Sequence, residues 1–206
     1  MLLNRGFAAT ALVLASAAPA SAHHVMGGMS PSTLFEGLLS GLAHPVIEMD
    51  HLAFVIALGL AAAFTSDGLR LVGLFVVGSL IGVVGNGFSS LVPNLELLVA
   101  LSIVCLGLAF VSRRFGHSPA WWVFAAAAGL LHGFAYGESI SASPWPAIAM
   151  YLLGLALSQT MLAVMAKTFV DLMRVDQNTP LRGSRIVGGV LVAVGMAFAT
   201  TSLFPI

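Results

Sequence analysis

After residue 45 the chain is dominated by six long apolar runs separated by short polar stretches. They cover about 46–64, 70–88, 95–112, 120–137, 146–168 and 186–204. Each approaches the roughly 20 helical residues needed to cross a hydrocarbon core of about 30 Å. The first 22 residues have a different pattern. Arg5 supplies a positive start, residues 7–18 form a short apolar stretch, and Ala20-Ser21-Ala22 is a small-residue cleavage site. Cleavage there makes His23 the mature N-terminus; the alternative is an uncleaved first helix. Between the two regions, residues 32–43 are too short to cross. Their Ser32-Thr33 start and the Gly37/Gly41 spacing predict a short helix at the outer interface, packed against neighbours. The expected architecture is an all-α membrane protein with a signal peptide at 1–22, a periplasmic segment at 23–45 and a six-helix transmembrane domain at 46–206.

Charge placement sets the expected orientation. An export signal puts the following segment outside, and an even number of spans returns the C-terminus to the same side. The inner loops are then those near Asp67, Arg113 and Arg174. Arg70, Arg113, Arg114, Lys167, Arg174, Arg182 and Arg185 all lie in or beside them, as the excess of basic residues in cytoplasmic loops requires. The reading is a multi-pass protein of the bacterial inner membrane with both mature termini periplasmic. Trp121, Trp122, Trp145 and Tyr151 fall near proposed span ends, where amphipathic rings anchor at the headgroups.

Composition excludes most other classes. The chain is 59% hydrophobic and 8% charged, far from the roughly 25% charged residues of a soluble domain. Zero net charge offers no basic surface for nucleic acid. The single cysteine, Cys105, allows neither an intrachain disulfide nor a thiolate cluster and reads as a small packing residue. Glycines recur within the spans, as at Gly73, Gly78, Gly82, Gly85 and Gly87. Without a helix-start context or a lysine they indicate close helix packing rather than a phosphate loop.

Ionisable residues inside such spans are costly and point to function. The first span opens His44-Pro45-Val46-Ile47-Glu48-Met49-Asp50-His51. On one continuous helix, with Pro45 in its first turn, His44, Glu48 and His51 share a face and Asp50 points roughly 100° away. Imidazole with carboxylate suits divalent nickel, cobalt, zinc or copper. The fourth span ends Leu131-His132-Gly133-Phe134-Ala135-Tyr136-Gly137-Glu138. His132 and Tyr136 stand one turn apart, and Gly133 and Gly137 permit a close partner or a break. In the orientation above, both clusters lie at outer ends and can meet. Each also has a structural reading: a polar knot locking helix packing for His44, Asp50 and His51, a bond to a neighbouring carbonyl for His132, and solvated interfacial positions for Glu48 and Glu138. Glu96 and His117 read as solvated. Asn86, Ser158 and Gln159 read as hydrogen-bond partners between helices. At the mature N-terminus, His23, His24, Met26 and Met29 could capture periplasmic ions, amine and imidazole suiting copper(II) or nickel(II) and thioether copper(I); the alternative is a mobile tail.

His44-x5-Asp50-His51 and His132-Gly133-Phe134-Ala135-Tyr136-Gly137 resemble the two signature motifs of the HupE/UreJ family of hydrogenase and urease accessory permeases, and the resemblance spans essentially the mature chain. It implies uptake of nickel, or in some members cobalt, through the histidines and aspartate of these motifs, in service of a metalloenzyme maturation system. The chain departs from the family pattern at four points. Tyr136 stands where a histidine is usual, Glu138 comes one residue early, Glu48 replaces a glycine, and the fifth span offers Gln159 in place of a histidine. These changes add a carboxylate and remove imidazoles, which shifts the donors toward the harder end.

With no ATP-binding motif, the leading function is a secondary permease or facilitator, with the ion as cargo and no permanently bound cofactor. The other classes are an accessory or assembly subunit of a membrane complex, a copper- or zinc-handling membrane protein, and an intramembrane metalloenzyme, for which no catalytic constellation is present.

Overall fold

The computed structural model describes residues 30–113, 115, 118–173 and 184–204, and every regular element among them is helical. In chain order these are α1 (Leu34–Ile47), α2 (Met49–Ala62), α3 (Gly68–Val84), a 3-10 helix (Asn86–Leu91), α4 (Leu95–Ser112), α5 (Pro119–Glu138), α6 (Trp145–Met173) and α7 (Ser184–Leu203). The six long apolar runs each become a helix, α2 to α7. The proposed signal peptide and His23, His24, Met26 and Met29 lie outside the described residues.

The chain is an all-α membrane protein. By length and composition α4, α6 and α7 can each cross a bilayer, and the pair α1 and α2 qualifies as a fourth, broken span bent by 79°. α3 is apolar but shorter, at 17 residues. α5 has the length, at 20 residues, but gives up apolarity to Trp121, Trp122, His132 and Tyr136.

Helix ends follow local chemistry. Thr33 caps α1: its hydroxyl accepts the Glu36 N–H at 3.2 Å, and the Glu36 carboxylate accepts the Thr33 N–H at 3.2 Å, a reciprocal capping box. Ser32 adds a second clamp by donating to the same carboxylate from its N–H and its hydroxyl. Thr33→Ala is expected to destabilise the protein by about 1 kcal/mol, seen as a lower thermal midpoint in detergent, with Thr33→Ser near neutral. Ser118 caps α5, with Pro119 at the first helical position, where the missing N–H has no partner to lose.

Glycines seam the bundle together in pairs. The most extensive interfaces are α3 with α5, α4 with α7, and α1 with α6. In each, a methyl group at glycine would collide with the facing backbone: Gly37 with Ala147 and Gly41 with Tyr151, Gly82 with Leu130 and Gly133 with Ser79, Gly188 with Gly107. Without a hydrophobic drive between lipid-solvated helices, such close approach supplies the packing energy. Gly78 and Gly82 play this role in α3, whereas Gly73 and Gly87 face open space. Gly137 lies against the Asn86 side chain. α2 is the central helix, with Phe54, Val55, Ala57, Leu58, Ala61 and Ala62 at 0% exposure. Cys105, expected to pack, instead lies exposed on α4.

Candidate metal site

The bend between α1 and α2 builds the site. Expected to run on one helix, His44, Glu48 and His51 are divided by a break at Glu48. Its extended backbone (φ −84°, ψ 109°) ends α1 and starts α2. Pro45 is not in a first turn but in the last turn of α1. There its missing N–H and its clash with the carbonyl one turn back weaken the continuation of the helix. His44 therefore closes one helix and His51 opens the next, and Glu48 sits between them. The Glu48 carboxylate meets His44 Nε2 at 3.0 Å with one oxygen and His51 Nδ1 at 3.1 Å with the other. Asp50, expected to point away, joins the same group. Its Oδ1 accepts from the His51 backbone N–H and from His51 Nδ1, both at 2.8 Å.

α5 and α6 complete the walls. The His51 ring lies 4.9 Å from the His132 ring and 4.3 Å from Tyr136, centre to centre. The His44 ring meets Tyr136 edge-on at 4.9 Å. The two sequence clusters thus form one constellation. It is graded from a wetter mouth, where the Glu48 and Asp50 side chains keep 17% and 23% exposure, to a floor at His132, which is wholly buried against Phe54 and Phe75. Glu138, the last residue of α5, is exposed and lies outside the Glu48, Asp50 and His51 trio. Glu96 is exposed at the start of α4. His117 lies outside the described residues.

Some participants were hidden in the sequence. Tyr151, expected as an interfacial anchor, is wholly buried, and its hydroxyl lies 2.6 Å from His44 Nδ1. The same hydroxyl donates to the Tyr136 carbonyl at 3.2 Å. Ser139 also donates to that carbonyl, at 2.9 Å, and stands 3.4 Å from His44 Nδ1. Ser102 of α4 contacts His132 Nε2 at 3.1 Å. Gln159 pairs with Ser79 across α6 and α3 at 2.8 Å, the kind of interhelical bond expected of it. Of the other ring anchors, Trp145 is 71% exposed, while Trp122 takes the Arg70 guanidinium over its face at 3.9 Å.

Chemically, one ligand atom each from Glu48, Asp50 and His51 lies within 4.8 Å of the others. Two carboxylates with imidazole suit a borderline divalent cation. The sequence profile of the HupE / UreJ protein family matches residues 11–198, most of the chain. The chain belongs to the HupE/UreJ family. Membership gives this HupE/UreJ protein a metal-related role in the membrane, in a family of transport and accessory proteins rather than enzymes. Neither a characterised protein nor a solved structure gives a match.

Proposed function

We propose that this HupE/UreJ protein is a secondary permease for a divalent transition-metal ion, nickel or cobalt, across the bacterial inner membrane. The carrying observation is the convergence of Glu48, Asp50 and His51 at the α1 and α2 break, with His44 on the second Glu48 oxygen. Ionisable groups at this density are too costly in a membrane protein to serve packing alone. The partly exposed carboxylates form the mouth, attracting the cation and replacing part of its water shell. The buried imidazoles then supply the borderline nitrogen donors that favour nickel or cobalt over magnesium or calcium. In this reading the chain spans the membrane six times with both mature termini periplasmic. The mouth then faces the periplasm, the cargo serves a metalloenzyme maturation system, and His23, His24, Met26 and Met29 stand ready to capture ions ahead of it.

The test is uptake into proteoliposomes with nickel, cobalt, copper and zinc in competition. Wild type is expected to accumulate nickel or cobalt in preference, and Asp50→Ala to slow entry roughly 10-fold to 100-fold, the cost of losing a carboxylate that orients a ligating histidine. If no metal moves under any imposed gradient, the permease reading fails. A protein that then copurifies with a stoichiometric partner in mild detergent is an accessory subunit.

A further inference from the structure

The hydroxyl of Ser102 has a single proton to give. It donates to the Val99 carbonyl at 2.6 Å, one turn back on its own helix. Only its lone pairs remain for the His132 Nε2 that stands 3.1 Å away, so Nε2 must carry the hydrogen and donate. A neutral imidazole holds one hydrogen, and the bond made by one nitrogen fixes the state of the other. His132 Nδ1 is therefore a bare lone pair, buried and without a hydrogen-bond partner.

The same bookkeeping applies to His51. Its Nδ1 faces Asp50 and Glu48 oxygens at 2.8 and 3.1 Å, acceptors that demand a donor. In the neutral ring, the form that can ligate a cation, the lone pair then falls on Nε2, which is likewise buried without a hydrogen-bond partner. Two orphaned acceptor nitrogens on rings 4.9 Å apart are expensive to leave empty in a membrane interior. Two imidazoles bound at about 2.0–2.1 Å to one tetrahedral ion would hold their ring centres roughly 5 Å apart, so the ring separation leaves room for a shared ion.

We propose that Ser102 is a positioning residue which, by accepting a hydrogen bond from His132 Nε2–H, presents His132 Nδ1 together with His51 Nε2 as an inner, nitrogen-only seat for the transported cation. This rests on the permease reading and deepens it. The ion passes from a carboxylate-rich mouth to a seat floored by Phe54 and Phe75, and His51 serves both positions through its two nitrogens. Because one neutral ring cannot offer both lone pairs at once, the two positions are filled in turn rather than together. The inner donors are softer than the mouth, which places the selection against magnesium and calcium there. Ser102 lies on α4, outside both sequence motifs.

The experiment uses full-length protein in detergent, titrated with nickel(II) or cobalt(II) and examined by X-ray absorption, which counts bound imidazoles. Ser102→Ala is expected to weaken affinity roughly 10-fold to 100-fold, as loss of an orienting hydrogen bond does at metal sites, and to lower the imidazole count by one. Ser102→Thr restores both. His132→Gln loses the same imidazole. The proposal is overturned if Ser102→Ala matches wild type in affinity and imidazole count, or if His132→Gln leaves the count unchanged. Wild-type protein that transports metal while either result holds removes the inner seat alone. Wild-type protein that binds neither metal removes the permease reading with it.

Discussion

His51→Ala is expected to lower nickel or cobalt accumulation in expressing cells by about two orders of magnitude or more. Removing even a residue that merely orients a metal ligand costs 10-fold to 100-fold, and His51 occupies a more central place. Its Nδ1 gathers Glu48 and Asp50, and its ring touches both His132 and Tyr136. The substitution leaves two carboxylates without their shared partner. Both keep partial access to the surface, at 17% and 23%, so they can rehydrate and the fold should survive. Membrane-inserted protein measured by immunoblot, alongside accumulated metal by mass spectrometry, separates the two effects. Accumulation at the wild-type level in His51→Ala would remove this constellation from the transport route.

Gly41→Val carries the largest structural effect. A side chain at Gly41 runs into the Tyr151 carbonyl and the Leu155 backbone nitrogen, neither of which can rotate away. α1 and α6 must separate, and the Tyr151 contact with His44 goes with them. Overpacking of a tight interior costs roughly 1–3 kcal/mol even where side chains can adjust, and a clash with rigid backbone exceeds that range. Little folded protein should be recovered in detergent, and what is recovered should unfold at lower temperature. Gly73→Val is the matched control, because nothing lies within contact of that position. Equal recovery of the two variants would show that the seam does not carry the bundle.

Much of this architecture is written in the alternation of apolar runs with polar punctuation. α2 to α7 each follow one of these runs, and α4, α6 and α7 are long and apolar enough to cross a bilayer. The cap of α1 was legible at Thr33, and its packing at Gly37 and Gly41, since those residues act through local chemistry and close approach. The meeting of the two polar clusters followed from antiparallel spans. The break at Glu48 did not follow, because a spacing of three and four residues looks the same on one helix as across a bend. Pro45 was its one visible sign. Tyr151 was misplaced because an aromatic near a span end usually anchors in the headgroups. A face count along α6 would have corrected this. Tyr151, Ser158 and Gln159 recur at helical spacing with Gly154 and Leu155, marking an inward stripe on an otherwise apolar helix. Ser102 left no trace, since one serine in an apolar run is ordinary until its neighbour across the interface is known.

The seating of α1 on α6 has a consequence for the making of the protein. His44 and the Tyr151 hydroxyl that holds it are separated by 107 positions in the chain. Chains are synthesised from the N-terminus, so four further helices emerge between α1 and α6. Only when α6 arrives does His44 gain the Tyr151 hydroxyl on its Nδ1. The nascent protein therefore carries the local group of His44, Glu48, Asp50 and His51 well before α6 covers it. The wall around His44 closes as one of the last events of folding, and a chain truncated before α6 would lack the Tyr151 contact.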